Sequence, residues 1–513
     1  MADACIVDLE DPEPWDNYHQ TGTSRLKKRF AVRSGDAGSG REDIRHAARA
    51  VLEWLGKAKA EGVPVRPVGG AWSLSNIQLV QGGWMLNTRR YNRCFKLAAA
   101  DFASAPPDPR AFLLIEGGVQ VDEVNDKLEG MGRSLVTTGA SNGQTFPGAC
   151  ATATHGSVPA AGGMQQHIRA VQTVTPAGIF WIEPAAGLMS DAFIAETGST
   201  AVRDDEAFQA ALVAVGSLGV VTAMLIESVP IYLVRPYMKL IDFGREDVEM
   251  LQRGEFGAFS RAKGAPDEEG DPYFVMVITT PTKPFGGKAV ARFLYRHDYF
   301  PNYKPKKHIP PAELGAGYDA QAMIAWAVRN FPWARGWILQ TIMRLAVGKG
   351  ITKPVLGTWG ETLESPRPTG NGFSAGVFSD RERLLHNLDA LCRAFNRAGG
   401  STAISMRFVK GGPGNGLLAP ARWENSVGID CDGPGGTQTM NAYLRMLDTA
   451  ERDGIEHTLH WGKINNLTPE RVEKDYGPDL ARWKAVQARL LPTAEDRRVF
   501  ASRELEKFGL LVP

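Results

Sequence analysis

The stretch Thr145–Ser157 reads Thr-Phe-Pro-Gly-Ala-Cys-Ala-Thr-Ala-Thr-His-Gly-Ser. Small residues let the backbone come close to a flat ligand, and the N–H and hydroxyl groups of this stretch can bond to such a ligand. The stretch is too polar for a core strand and too poor in charge for a solvated loop. We therefore predict that it lies against a bound ring system, with a purely structural loop as the alternative.

The composition of the whole chain excludes some classes of protein. The chain has 513 residues, of which 43% are apolar and 22% charged, and its net charge is +1. This length allows two or three domains with a large core. The near-zero net charge provides no broad electrostatic field for nucleic acid, so we expect no nucleic-acid partner.

The cysteines and the first residues both predict a cytoplasmic location. The five cysteines are scattered and odd in number, which favours reduced thiols over a disulfide framework. The acidic start of the chain has no apolar core of the kind that a signal peptide needs.

The pattern along the chain is typical of an α+β protein. A Ser-x-x-Glu capping box at Ser39–Glu42 precedes apolar residues at helical spacing and predicts a helix. Val171–Glu183 reads as a hairpin, and Tyr273–Thr280 and Ala291–Arg296 read as strands that a second hairpin could join. From about Tyr232 the composition changes, which indicates a second domain.

A Gly-Gly turn follows the extended segment Val63–Val68 and belongs to the sequence Gly69–Ser73 (Gly-Gly-Ala-Trp-Ser). Two adjacent residues without Cβ let consecutive N–H groups point at one anion, so the turn can form a nest for a pyrophosphate. An ordinary turn is the alternative, and the chain has neither a Gly-x-Gly-x-x-Gly motif nor a Walker loop.

Four motifs in order resemble the vanillyl-alcohol-oxidase-type flavoproteins. They are Arg66–Ser73, Gly148–Ser157 with its Thr-His-Gly-Ser ending, Ser217–Thr222 (Ser-Leu-Gly-Val-Val-Thr) and His460–Lys463 (His-Trp-Gly-Lys). The chain looks most like the aldonolactone and alditol oxidases, with the type II cholesterol oxidases nearby. The resemblance covers most of residues 40–230 and 400–490.

This resemblance implies an FAD-binding domain in two lobes and a substrate, or cap, domain with an antiparallel sheet. The implied division is a lead-in over 1–38, the FAD-binding domain over 39–231, the cap over 232–459 and a return to the FAD-binding domain over 460–513. The residues implied to contact FAD are Arg66, Val68, Gly69, Gly70, Ala71, Trp72, Ser73, Gly139, Gly148, Cys150, Thr152, Thr154, His155, Gly156, Ser157, Gly219, Val220, Val221 and Lys463.

Three positions decide how far the resemblance extends. Many relatives carry a flavin-linked histidine where this chain has Trp72, so a histidyl bond cannot form here. Relatives tend to carry Glu-x-Arg on a cap strand, and the matching residues here are Ser405-Met-Arg407. The arginine is kept but the carboxylate, a natural partner for hydroxyls, is not, so a polyol substrate is in doubt. Cys150 matches by position a cysteine that bonds the flavin in some relatives, but a small buried residue is the favoured interpretation.

The resemblance also suggests the catalytic residues Arg407, Lys463, His460 and Ser405. A fixed cation near the flavin stabilises the charge that appears when the ring is reduced, and Arg407 and Lys463 could supply it. His460 could act as a base or orient a substrate hydroxyl. His457 and His460 at i, i+3 spacing would suit a metal, but no nearby ligand completes such a site, so no metal is expected.

The segment 325–347 is rich in tryptophan and interleaves arginines with apolar residues. It could be an apolar lid over a large substrate, an interfacial helix that contacts a membrane surface, or a core helix of the cap.

These features predict an FAD-dependent enzyme that oxidises the CH–OH group of a small molecule by hydride transfer to flavin N5, with oxygen or another acceptor reoxidising the flavin. The alternatives are an enzyme for a large apolar alcohol or natural-product intermediate, and a flavin-binding protein without catalysis.

Overall fold

The computed structural model describes residues 5–9, 14–35, 39–304, 341, 355–363, 372–400 and 402–511. The strands in these ranges are β1 (Ile6–Leu9), β2 (Trp15–Asp16), β3 (Thr23–Ser24), β4 (Lys28–Arg33), β5 (Val65–Val68), β6 (Trp84–Arg90), β7 (Cys94–Lys96), β8 (Phe112–Glu116), β9 (Arg133–Ser134), β10 (Ile168–Thr175), β11 (Gly178–Glu183), β12 (Thr200–Arg203), β13 (Val220–Glu227), β14 (Val229–Pro230), β15 (Tyr232–Phe243), β16 (Phe274–Thr279), β17 (Gly287–Asp298), β18 (Gly357–Thr358), β19 (Gly372–Asp380), β20 (Ala403–Lys410), β21 (Asn425–Pro434) and β22 (Thr458–Leu459).

The helices in the same ranges are α1 (Gly40–Ala60), α2 (Val121–Glu129), α3 (Phe146–Ala151), α4 (Asp191–Glu196), α5 (Asp205–Leu212), α6 (Arg245–Arg253), α7 (Phe256–Ala262), α8 (Trp359–Leu363), α9 (Leu384–Ala398), α10 (Thr437–Arg452), α11 (Pro469–Leu490), α12 (Ala494–Val499) and α13 (Arg503–Lys507). No helix in this described part of the chain has both the length and the apolar character that crossing a bilayer needs.

The FAD-binding half has two sheets with α1 between them. One sheet has the order β1-β4-β6-β5 and the other the order β12-β11-β10-β13-β8-β7. Val51 and Leu55 of α1 share a core with Val32 of the first sheet and Val174 of the second. The helix begins as predicted, because the Ser39 hydroxyl caps it by accepting the N–H of Glu42 at 3.2 Å.

The cap contains one antiparallel sheet of eight strands, in the order β18-β15-β17-β16-β20-β21-β19-β22. The predicted hairpin strands pair as expected, with Phe274 opposite Leu294. Helices α9 and α10 pack against each other and against β19. Polar and apolar side chains of β15, β16, β17, β20 and β21 line a cavity instead.

The last helices return to the FAD-binding half. Gln487 of α11 donates to the carbonyl of Ser217 at 3.2 Å, and Thr175 donates to the carbonyl of Leu490 at 2.9 Å. Lys59 and Asp496 join α1 to α12 through an ion pair of 2.7 Å. The exact domain boundaries stay predictions, but these contacts tie the end of the chain to its first lobe.

Two regions differ from the sequence interpretation. Residues 28–33 are not an irregular lead-in, because β4 lies inside the first sheet and pairs in parallel with β6. The stretch Thr145–Ser157, read as a loop, contains the short helix α3. Pro147 in its first turn fits a helix start, since proline needs no N–H partner there.

Candidate active site

A cavity of about 960 Å³ lies between the FAD-binding half and the cap sheet. Its floor is formed by residues 66–74, by parts of 138–156 and by 215–216, and its roof by the cap strands. His460, Gly462 and Lys463 complete the wall. One cavity therefore brings together three of the four sequence motifs, and Val215 and Gly216, which precede the fourth motif, also line it.

The floor turn has no room for side chains at its two glycines. A Cβ on Gly70 would lie 2.9 Å from the carbonyl oxygen of Gly143, and one on Gly69 would overlap the Thr145 side chain. The next residue, Ala71, has φ of +60°, a left-handed conformation that L-residues rarely adopt. Exposed backbone therefore lines this part of the cavity, as a cradle for phosphate oxygens requires.

Distant segments hold this turn in place. The Ala71 carbonyl accepts the N–H of Tyr18 at 3.0 Å, and the Ser73 carbonyl accepts the Asn17 side-chain amide at 2.9 Å. The ring of Tyr18 stacks on that of Trp72 with centroids 4.3 Å apart. Trp72 is therefore a packed wall of the cavity, at the position where the resemblance implied a flavin-linked histidine.

Arg66 is a buried cation without an anion. Its guanidinium donates to the carbonyl of Gly216 at 2.6 Å and to the hydroxyl of Ser502 at 2.7 Å. Among the described residues no carboxylate forms an ion pair with it, and burial lowers its pKa to about 10. An uncompensated buried cation beside a glycine cradle fits the diphosphate of FAD, because that group supplies the missing negative charge.

The stretch Thr145–Ser157, predicted to lie against a ring system, presents one face to the cavity. Gly148, Thr152, Thr154, His155 and Gly156 line it, together with the predicted residues Val68 and Gly139. Successive residues of a helix point in different directions, so other members of the stretch face away.

Of the residues in this stretch that were predicted to contact FAD, Cys150 and Ser157 do not line the cavity. Cys150 lies in the apolar core, and burial raises the pKa of its thiol well above the ordinary value. A neutral buried thiol is a poor nucleophile, so the structure favours the packing role over a bond to the flavin. Ser157 donates to the carbonyl of Val275 and accepts the N–H of Phe408 at 2.9 Å, and it thereby joins the two halves.

Gly219, Val220 and Val221 do not line the cavity. They lie at the start of β13, where Val220 pairs with Val174 and is buried in the core. Val215 and Gly216, just before them, line the cavity instead. The motif thus lies beside the site rather than in it, because its strand is needed inside the sheet.

The two predicted cations share a partner that the sequence reading missed. Nζ of Lys463 lies 2.7 Å from Oδ1 of Asp430, and Nε of Arg407 lies 3.2 Å from Oδ2 of the same carboxylate. Arg407 has no anionic neighbour within its own motif, but the folded sheet supplies one. The neighbour is on the adjacent strand, 23 residues away in sequence, where no local motif reveals it.

Strand register explains this arrangement. Ser405 of β20 lies directly opposite Asp430 of β21, so their side chains share a face of the sheet. Ser405 also donates to Asp432 at 3.3 Å, and both line the cavity. The carboxylate absent at position 405 is thus supplied by the neighbouring strand.

The two histidines in the wall are neutral. Burial and then the charge of Lys463 hold the pKa of His460 well below its ordinary value, and burial lowers the pKa of His155 to about 4. Nδ1 of His460 accepts the N–H of Gly462 at 3.0 Å, so the proton of the neutral ring is on Nε2. His460 is therefore set to donate a hydrogen bond and not to remove a proton.

His155 and His457 are held by packing and by backbone carbonyls. His155 lies edge-on to Phe378, with centroids 4.7 Å apart, and its Nδ1 lies 3.0 Å from the Gly156 carbonyl. Nδ1 of His457 lies 2.6 Å from the Ile455 carbonyl. The described residues contain no group of three or more His, Cys, Asp or Glu side chains that could hold a metal ion.

The roof of the cavity has an apolar part beside the charged one. It is formed by side chains of β15, β16, β17 and β19, namely Met238, Phe274, Met276, Ile278, Val290 and Phe373. The tryptophan-rich segment 325–347, predicted as a lid, an interfacial helix or a core helix, lies outside the described residues except for Thr341.

Comparison with known sequences places the FAD-binding domain in the first lobe. A family model described as an FAD binding domain matches residues 46–182. An L-gulono-1,4-lactone dehydrogenase from Mycobacterium tuberculosis is 22% identical over 441 residues, which cover 85% of this chain and 89% of that protein. A D-arabinono-1,4-lactone oxidase from Candida albicans is 22% identical over 198 residues, but this match spans only 32% of its length.

Solved structures share the fold at low sequence identity. A cholesterol oxidase from Brevibacterium sterolicum has a TM-score of 0.72 and 12% identity, and the match covers 98% of this chain and 97% of that one. Glucooligosaccharide oxidase from Acremonium strictum, described with a 6-S-cysteinyl, 8α-N1-histidyl FAD, has a TM-score of 0.57, 15% identity and coverage of 96% and 95%. The resemblance that the motifs suggested is thereby confirmed for the cofactor domain and the fold: this chain contains an FAD binding domain and has the fold of the vanillyl-alcohol-oxidase-type flavoproteins.

Proposed function

We propose that the protein oxidises the CH–OH group of a small molecule whose body is largely apolar. The observation that carries this proposal is the roof of the cavity, where polar groups able to hold one oxygen stand next to a group of apolar side chains that is interrupted by Arg292. FAD held in this cavity would supply the hydride acceptor for the carbon that carries the hydroxyl.

The polar groups have distinct tasks in this proposal. Ser405 and His460 hold the substrate oxygen by hydrogen bonds, since both line the cavity and His460 has its proton on Nε2. Arg407 and Lys463 supply positive charge beside the ring, which favours the negative charge that develops there. Their side chains are 15% and 17% exposed, so water screens them only weakly.

The apolar part of the roof distinguishes this site from one built for a sugar. Met238, Met276, Ile278 and Val290 offer no hydrogen bonds. A polyhydroxylated substrate would lose hydration beside them, and Arg292, which lies opposite Met238 and Met276, replaces that hydration only in part. A large apolar alcohol, which was the alternative from sequence, is therefore favoured over an aldonolactone. The relatives named for lactones argue the other way, and their names also divide between oxidase and dehydrogenase.

An anaerobic screen of the FAD-loaded protein tests the proposal. Apolar alcohols of increasing size and aldonolactones of matched concentration are added, and loss of the flavin absorbance is followed. We expect bleaching by an apolar alcohol and slower bleaching by lactones. A protein that holds FAD but is bleached by neither class would support the non-catalytic alternative. Readmission of air, or of a dye acceptor, then shows which acceptor reoxidises the flavin.

A further inference from the structure

Asp430 occupies a position that no motif singled out. Its side chain is fully buried, and it contacts two cations from different elements, Arg407 on β20 and Lys463 in the return segment. Gly376 on β19 makes this contact possible, since a Cβ there would lie 2.8 Å from the Asp430 carboxylate and 2.9 Å from the Lys463 side chain. Three strands and the return segment thus converge on a single carboxylate.

We propose that Asp430 sets the net charge of the cavity wall by cancelling one of the two cations beside the flavin. The three side chains together carry a charge of +1, shared between Arg407 and Lys463. This inference rests on the proposed function, because that function places the flavin ring against this wall. Asp430 is a positioning and charge-setting residue, as it does not itself line the cavity.

Two histidines and one thiol around the cluster are neutral and leave the charge of these three side chains unchanged. Burial lowers the pKa values of His155 and His460, so both rings are neutral. Burial also raises the pKa of Cys431, the neighbour on β21, well above its ordinary value, so this thiol is neutral. Asp432 carries the other nearby carboxylate, and it accepts a hydrogen bond from Ser405.

Asp430 itself stays ionised. Burial raises the pKa of its carboxyl, but Lys463 and Arg407 together lower it further, and the net pKa lies below the ordinary value. The two cations offset the desolvation cost of burying the carboxylate. The carboxylate in turn reduces the repulsion between the two buried cations.

Sulfite provides a probe that needs no organic substrate. It adds reversibly to oxidised flavins, bleaches their visible absorbance and leaves negative charge on the ring, so its Kd reports the positive charge nearby. We expect Kd to fall about tenfold in Asp430→Asn and to rise about tenfold in Lys463→Met. The double variant Asp430→Asn/Lys463→Met has the wild-type charge again, and its Kd should return to within about threefold of wild type.

Two control variants carry the same substitutions on cap strands away from the cavity. Lys410→Met lies at the exposed end of β20, and Asp242→Asn lies near the end of β15, where it pairs with Lys288. Neither should change the sulfite Kd by more than about twofold, because water screens exposed charges.

Two results would overturn the inference. One is a higher sulfite Kd, and so weaker sulfite binding, in Asp430→Asn. This result would mean that Asp430 acts by fixing the positions of Arg407 and Lys463. The other is a double variant whose sulfite Kd is as high as that of Lys463→Met alone. If Asp430→Asn does not retain FAD, the comparison of the double variant with Lys463→Met still decides, since it asks whether removing the carboxylate restores affinity. If the alcohol screen finds no substrate, the expected order of the sulfite Kd values among the variants is unaffected. Each proposal can therefore fail without the other.

Discussion

The floor and the roof of the cavity are built in different ways. The floor presents backbone, from a turn with two glycines and a left-handed alanine, and the residues of that turn are contiguous in sequence. The roof presents side chains from strands that meet only in the folded sheet, and its charged cluster joins positions 407, 430 and 463. The floor therefore requires positions that have no side-chain atoms, and the roof requires charged side chains at particular positions.

This difference predicts opposite sensitivities. Added atoms should damage the floor, whereas changes of charge at constant volume should damage the roof. Substitutions on each side can break or sharpen the comparison.

The largest effect is expected in the floor. Gly70→Val places a branched side chain against the Gly143 carbonyl, so FAD affinity should fall by about a hundredfold, or roughly 3 kcal/mol. Flavin content after purification and FAD titration of the apoprotein measure this. Gly56→Val is the matched control, since a Cβ there meets nothing within 4 Å. A folded Gly70→Val protein with full flavin content would remove the turn from the site.

In the roof, Lys463→Met and Arg407→Met should leave FAD bound but slow flavin reduction. Each removes charge at nearly constant volume, and loss of such a preorganised group costs on the order of 3 kcal/mol, about a hundredfold in rate. Anaerobic stopped-flow with an accepted alcohol is the measurement. Reduction within a factor of two of wild type in both variants would place the catalytic charges elsewhere in the cap.

Arg66 combines features of both regions, because it belongs to the floor but contributes a charged side chain. Arg66→Met should weaken FAD binding about thirtyfold through the loss of charge-assisted hydrogen bonds. The melting temperature of the apoprotein should not fall, since the variant removes an uncompensated buried charge. Ser502→Ala, which keeps the charge, should have the smaller effect on FAD. Unchanged FAD affinity together with a lower apoprotein melting temperature would make Arg66 a structural residue.

The smallest effect concerns pH. The pKa of His460 is held well below 6.5 and that of His155 is about 4, so neither ring gains a proton until the pH falls far below neutrality. The rate of flavin reduction should therefore show no histidine inflection between about pH 5.5 and 8. An inflection near pH 6.5 that disappears in His460→Gln would contradict the neutral assignment.

Much of the fold could be predicted from local sequence. The Ser39 cap, the hairpin of β10 and β11 and the pairing of β16 with β17 follow from capping chemistry and strand patterns. The place of β4 could not be predicted, because parallel pairing with β6 depends on a partner more than 50 residues away. Local pattern shows that a strand exists but not where it pairs.

The site divides in the same way. Gly69, Gly70 and the Gly148–Gly156 stretch could be found because close approach of backbone needs small residues next to one another. Asp430 could not be found, because its role comes from strand register: Ser405 faces it across β20 and β21. Gly219 to Val221 were assigned to the site by motif, and the demands of the sheet core placed them beside it.

The contacts of the floor turn with the end of the chain bear on how the protein is made. The N–H of Leu74 donates to the carbonyl of Gly462 at 2.8 Å, and Arg66 reaches Ser502 across 436 residues of sequence. The first lobe leaves the ribosome long before Gly462 and Ser502 exist, so a nascent chain has the glycine turn and its contacts with Asn17 and Tyr18 but lacks these two later contacts. We therefore expect tight binding of the cofactor only after the last part of the chain has been made and folded.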